Sequence, residues 1–415
     1  MHTYPIHKWL IVRTRQNLNS RHRIFSSFKR VRWIPFEIYN QKSHLLYLQT
    51  SPTSTLFHSI LQKPPTTSTY HELNKNKKSK EKMEVKRRTI RTLVSRLSSV
   101  SEPTRCDALC ELRLMTKLDA DSRPLISEAG AVPYLAETLY SSSHASQDNA
   151  AATLLNLSIS SRAALMSTRG LLDALSHVLR HHASSSYPAA VQSSAATLHS
   201  LLIVDEYRPI IGSKRDIVYS LIDIIKRVDS PIRSVKDALK ALFGIALYPL
   251  NRRTIIELSG VNALFSLLMK DLPVGVMEDI TAVIAQIAGC EESEEAFRKV
   301  SGIGLLVDLL DGSTGSSMRI KENSVGALLN LVRCGSEKVG REVREMSLVA
   351  DVADGIADVA ENGSGKGKGK AVSLLKVIYG GNGCVVRDER FDLLLNQCSW
   401  GFLVCMWLIF IVFRF

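Results

Sequence analysis

Few residues of this 415-residue chain fall into spacings that could do covalent chemistry. The run GSGKGKGK (Gly363–Lys370) has the composition of a phosphate-cradling loop. Such a loop needs Ser or Thr after its last lysine, and Lys370 is followed by Ala371. The run therefore reads as a flexible basic insert. His177, His181 and His182 lie at helical spacing but have no matching cluster of Cys or carboxylates to complete a metal shell. They read as an exposed helix end. Cys106 and Cys110 form an i,i+4 pair with no second pair. Cys290, Cys334, Cys384, Cys398 and Cys405 add no CxxC, so the cysteines read as small buried apolar residues in a reducing compartment. No GxSxG occurs. The chain is expected to be no enzyme, with no catalytic residue, cofactor or metal.

The chemistry that remains is non-covalent. Asn156 and Asn330 take the same place in two LLNL segments, and Ser200 and Gln286 take it in between. Seven residues earlier stand Asn149, Ser193, Asp237, Asp279 and Asn323. Offsets of seven share a helix face. An amide carries both donor and acceptor, so a ladder of amides can hold the backbone of an extended peptide. The same amides can instead bond from one helix to the next and order a stack.

The elements that carry these residues recur. DALCELRLMTK (Asp107–Lys117), NAAATLLNLSI (Asn149–Ile159), SSAATLHSLLI (Ser193–Ile203), DALKALFGIAL (Asp237–Leu247), DITAVIAQIAG (Asp279–Gly289) and NSVGALLNLVR (Asn323–Arg333) read in register as helices. One apolar column runs Met115, Leu157, Leu201, Ile245, Ile287, Leu331, in steps of 42, 44, 44, 42 and 44. A short helix precedes a corner near Gly130, Gly170, Gly260 or Gly302, where the chain must bend. A leucine-rich helix follows, then a polar turn, then the registered helix. Alanines such as Ala150–Ala152 and Ala195–Ala196 allow close helix approach. A helical period of this length is that of a solenoid, which presents a long surface and binds.

The formal charge of +13 is uneven. Residues 1–82 hold 15 Lys/Arg against 3 Asp/Glu, so the repeats are nearly neutral and no nucleic-acid groove is expected along them. Residues 1–82 form a basic leader expected to lack a fixed fold. The alternatives are a transit peptide and, as the favoured reading, sequence preceding a start at Met83, where a helix pattern opens directly. Residues 83–104 read as an N-terminal helix or cap, 105–345 as the repeats, and 346–380 as a degenerate terminal repeat with the Gly/Lys insert. Residues 381–415 are an apolar tail. Within it Leu393–Phe413 is uncharged and long enough to cross a bilayer, while its wholly apolar part, Trp400–Phe413, is shorter. A membrane anchor and unrelated terminal sequence are the two readings. The expected compartment is cytoplasmic or nuclear, with membrane association the alternative.

ELRLMTK, ISEAGAVPYLAETL and NAAATLLNLSI resemble the first armadillo repeats of plant U-box/armadillo proteins. The resemblance covers roughly Met83–Gly380 and implies an all-α, right-handed armadillo-repeat α-solenoid of about six to seven repeats. In that family an upstream U-box recruits a ubiquitin-conjugating enzyme and the repeats select the substrate. The upstream region here shows no matching U-box motif. The resemblance thus implies a protein-binding scaffold or adaptor whose partners include ubiquitin-ligase components. The alternatives are the substrate-recognition part of a U-box ligase and a tail-anchored adaptor. Nuclear-import receptors of the importin-alpha type place Trp four residues before the ladder Asn. Here those positions are Ala152 and Gly326.

Overall fold

A computed structural model describes residues 67–181, 188–347 and 350–379. The basic leader up to residue 66, residues 182–187 (His182 among them), and the apolar tail Leu393–Phe413 lie outside the described residues. Among the described residues all regular structure is helical, and no helix is long and apolar enough to cross a membrane.

The helices fall into triplets. A pair, α1 (Thr67–Leu97) and α2 (Glu102–Leu118), opens the array. The short first helices of the triplets are α3 (Ser122–Glu128), α6 (Arg162–Ser167), α9 (Tyr207–Gly212), α12 (Pro249–Glu257), α15 (Ser293–Lys299) and α18 (Glu337–Ser347). The second helices are α4 (Ala131–Thr138), α7 (Leu171–Arg180), α10 (Arg215–Lys226), α13 (Gly260–Leu268), α16 (Gly302–Asp308) and α19 (Ala350–Asn362). The third helices are α5 (His144–Ser158), α8 (Pro188–Leu201), α11 (Ile232–Ala246), α14 (Val274–Ile287), α17 (Met318–Cys334) and α20 (Gly365–Tyr379). Third helices pack in the order α2, α5, α8, α11, α14, α17, α20, each on its chain neighbours, while α4, α7, α10 and α13 stack in a second layer. This is the expected all-α armadillo solenoid.

The registered apolar column lies where those two layers meet. Leu157, Leu201, Ile245, Ile287 and Leu331 are fully buried, and the small residues Ala150, Ala195, Ala238 and Ala241 beside them are equally buried. Each buried leucine-sized side chain contributes roughly 1.5–3 kcal/mol by leaving water. No single repeat can bury such a face alone, so stacking supplies the core.

Three expectations about the elements need correction. The first concerns the corners. Gly130 and Gly170 adopt the left-handed conformation, with φ of 80° and 82°. In the later repeats the left-handed residue is a serine, Ser259 (φ 61°) and Ser301 (φ 52°), one position before the expected glycine. Gly260 and Gly302 serve packing instead. A Cβ on Gly260 would sit 2.7 Å from the Ile255 carbonyl oxygen, and one on Gly302 would sit 2.8 Å from the Phe265 ring.

The second correction concerns the N-terminal helix. It does not begin at Met83 but at Thr67, because the run Asn74–Lys82 consists largely of Lys and Glu, which are good helix formers. Lys86 holds it to the first repeat by an ion pair of 2.5 Å with Asp119, whose carboxyl is lowered to about 2, first by that hydrogen bond and then by the Ser122 hydroxyl. The third concerns the Gly/Lys run, which is helical from Gly365. The Ser364 hydroxyl accepts from the Gly367 N–H, and the Glu322 carboxylate of the preceding third helix accepts from the Ser364 N–H and hydroxyl. Gly367 is needed because a Cβ there would lie 2.7 Å from the Glu322 carboxyl carbon.

Candidate functional site

Every residue of the expected ladder lies on a third helix of the array. The local sequence puts them there. Burial of the apolar column fixes the helix rotation, and positions one and eight residues before it then share one edge about a quarter turn away.

The ladder splits into residues already occupied by the fold and residues left facing outward. Asn149 is 8% exposed; its carbonyl oxygen accepts from Arg113 at 2.8 Å and its amide donates to Cys110 Sγ at 3.1 Å. Ser200, also 8% exposed, donates to the Ser158 carbonyl at 3.0 Å. These two are interior struts. Asn156 is half-buried and donates to Thr116 Oγ1 at 3.1 Å. Asn323 donates to the Glu278 carbonyl at 3.2 Å and to Thr281 Oγ1 at 3.1 Å. Asn330 donates to the Ala285 carbonyl at 2.9 Å. In every case the acceptor belongs to the preceding third helix, so the amides tie the stack as the second reading of the ladder has it. Among the described residues, the side-chain oxygens of Asn156, Asn323 and Asn330 accept no hydrogen bond. They stay available to a ligand. Gln286 and Ser193 are half-buried on the same face.

Asp237 and Asp279 occupy the ladder position in α11 and α14. Burial pushes both carboxyls above the ordinary aspartate value; Lys240 draws Asp237 back, and Lys236 and Lys240 draw Asp279 back, without offsetting it. Lys236 Nζ lies 3.9 Å from Asp279. Between them the ladder has a gap. Gly244 is buried, and a Cβ there would meet Leu202 Cβ at 2.8 Å, so α11 approaches α8 too closely for an amide.

A set of arginines escapes sequence reasoning. Arg123 donates to the Thr116 carbonyl, Arg162 to Ser200, Arg208 to Leu202, and Arg252 to both Ala246 and Gly289. All of these carbonyls lie at or just past third-helix C-termini, where intrahelical partners run out. The signal was present, since each arginine stands five to eight residues beyond the registered apolar column.

The cysteines correct another expectation. Cys110 and Cys334 are exposed, and Cys106 and Cys290 are partly so, rather than buried. Burial, with the Glu292 carboxylate accepting from its thiol, still raises Cys290 to about 11, and burial raises Cys110, so neither is a ready nucleophile. His177 packs its ring between Tyr140 (centroids 4.7 Å apart) and His181 (4.3 Å). Among the described residues no three His, Cys, Asp or Glu are placed to share a metal.

A family model described as the plant U-box protein ARM repeat region matches residues 89–387. U-box domain-containing protein 16 of Arabidopsis thaliana is 29% identical over 301 residues, 72% of this chain and 42% of that protein. U-box domain-containing protein 1 of Medicago truncatula is 31% identical over 310 residues, covering 74% and 42%. The chain thus spans about two fifths of the length of these relatives. Among solved structures, an engineered protein aligns with a TM-score of 0.60 at 22% identity, covering 70% of this chain and 68% of that one. A chain from a study of the cadherin–beta-catenin interaction aligns with a TM-score of 0.59 at 18% identity, covering 76% and 56%. These two likenesses speak to the fold alone.

Proposed function

The chain belongs to the plant U-box protein ARM repeat family, and from that membership we propose that it is a protein-interaction scaffold whose partner lies along the outward face of the third helices. The observation that carries the reading is the direction of the ladder amides. Their N–H groups are used in stacking, while the half-buried carbonyl oxygens of Asn156, Asn323 and Asn330 accept no hydrogen bond among the described residues. Solenoids of this kind bind on extended surfaces rather than in enclosed pockets.

Changing Asn156 and Asn330 together to alanine tests it. Proteins captured by the full chain should fall at least about tenfold in yield, the effect of losing roughly 1.4 kcal/mol of binding. Each change should also lower stability by about 1 kcal/mol, because each removes an inter-repeat hydrogen bond. A thermal melt showing a folded variant separates the two effects. An unchanged set of captured proteins at unchanged yield moves the site off this face.

The relatives' names favour one further role, that of a partner-selecting arm working beside a U-box. Supplied with ubiquitin-activating and -conjugating enzymes, the purified chain is expected to form no ubiquitin chains alone and to be retained by a U-box protein in a binding assay. Ubiquitin chains formed by this polypeptide alone refute the scaffold reading, and failure to be retained refutes the ligase-linked one.

A further inference from the structure

We infer that Cys106 and Cys110 hold a soft monovalent metal ion, copper(I), between their two sulfurs. Both stand on α2, one helical turn apart, at the head of the third-helix layer. Neither serves the core: Cys110 is exposed and Cys106 is half-buried. The Cys106 thiol lies within hydrogen-bonding reach of the Cys110 thiol. Residues at i and i+4 of a helix hold their Cβ atoms about 5–6 Å apart. A disulfide needs roughly 3.5–4.5 Å. A metal ion bonded to each sulfur at about 2.3 Å bridges the wider gap. The spacing therefore suits a sulfur–metal–sulfur bridge and would have to distort the helix to form a disulfide.

The next helix of the layer supports the sulfurs. Asn149 of α5 donates its side-chain N–H to Cys110 Sγ at 3.1 Å, and its amide oxygen accepts from Arg113 at 2.8 Å. A guanidinium only donates, so Arg113 fixes which end of the amide faces the sulfur. An N–H aimed at a metal-bound thiolate spreads its negative charge, which is what outer partners do at metal sites. Asp107 acts on the same thiol in the opposite sense, but it is exposed and has Arg96 3.8 Å away. The number of ligands selects the metal. Among the described residues no third His, Cys, Asp or Glu joins the pair. Zinc sites take three or four protein ligands. Copper(I) is satisfied by two thiolates, and soft sulfur favours it. As each sulfur–copper bond forms, the thiol gives its proton to solvent. The copper stays in the +1 state and no electron moves.

Titrating the reduced full chain with copper(I) alone, without oxygen and against the chromophoric chelator bicinchoninate, tests this. The expected result is one copper ion withheld from the chelator per chain. A variant with the other five cysteines changed to serine should withhold it equally. C106S and C110S should each weaken binding by more than about a hundredfold, and N149A by about 10–100-fold, the range for an outer partner. A thermal melt verifies the fold of each variant. Zinc(II), titrated alone against a zinc chelator, should not be retained. Copper withheld equally by C106S and C110S, lost with the other five cysteines, or not withheld by the unaltered chain overturns the site. Zinc held as firmly as copper overturns the class of metal, and N149A binding like the unaltered chain overturns the part given to Asn149.

Discussion

Replacing Phe297 by alanine should destabilise the protein by about 3–5 kcal/mol, the range for deleting a large aromatic ring from a packed core. Phe297 is fully buried in α15. Its ring meets that of Phe265 from α13 edge-on, with centroids 5.3 Å apart and planes at 80°. Phe265 in turn fills the space over Gly302, the first residue of α16. The two rings thus tie α15 and the start of α16 to α13 of the preceding repeat. Because stability in such an array is nearly a sum over repeats and their interfaces, the loss should be local. Hydrogen exchange across residues 260–345 should accelerate roughly a hundred- to several-thousand-fold, with the first repeats little changed. An even loss along the whole chain, or a change below about 1 kcal/mol in urea unfolding, counts against this account.

Gly355→Ala should also destabilise, by about 1–3 kcal/mol or more, although alanine is the better helix former by about 1 kcal/mol. Gly355 lies inside α19, and a Cβ there would come within 2.0 Å of the Leu310 carbonyl oxygen and 2.8 Å of its carbon. Both are backbone atoms and cannot swing aside, so α19 would have to lift from the end of α16. Gly369→Ala in α20 is the control, since nothing lies within 4 Å of its added Cβ. That change should stabilise by about 0.5–1 kcal/mol. The pair therefore predicts opposite shifts in melting temperature from the same chemical substitution. Equal shifts would mean that α19 is not held against Leu310.

The repeat was legible because burial and period coincide. The residues recurring in register from Leu157 to Leu331 are the ones the core encloses, and no neighbouring force competes with them. Where the reading failed, a long-range contact decided. GSGKGKGK has the composition of a flexible linker, but Glu322 caps the helix that it starts, and nothing local to the run announces that partner. Gly130 and Gly170 take the left-handed conformation expected at the corners, whereas at the two later corners Ser259 and Ser301 take it and Gly260 and Gly302 answer a demand for space from Ile255 and Phe265. The ladder positions were readable from spacing, whereas the orientation of their amides was not. Asn149 and Asn156 look alike in sequence; only the neighbouring helix reveals that Arg113 and Cys110 occupy one while half of the other stays open.

Among the described residues the third helices pack on one another in chain order, each on the one before and the one after, and this makes the repeat array mechanically one-dimensional. A small tilt at each repeat boundary adds to the next, so the array behaves as a soft spring whose pitch is set by many weak joints in series. A partner lying along several repeats would draw those joints to a common spacing, and part of its binding free energy would be stored as elastic strain spread along the coil.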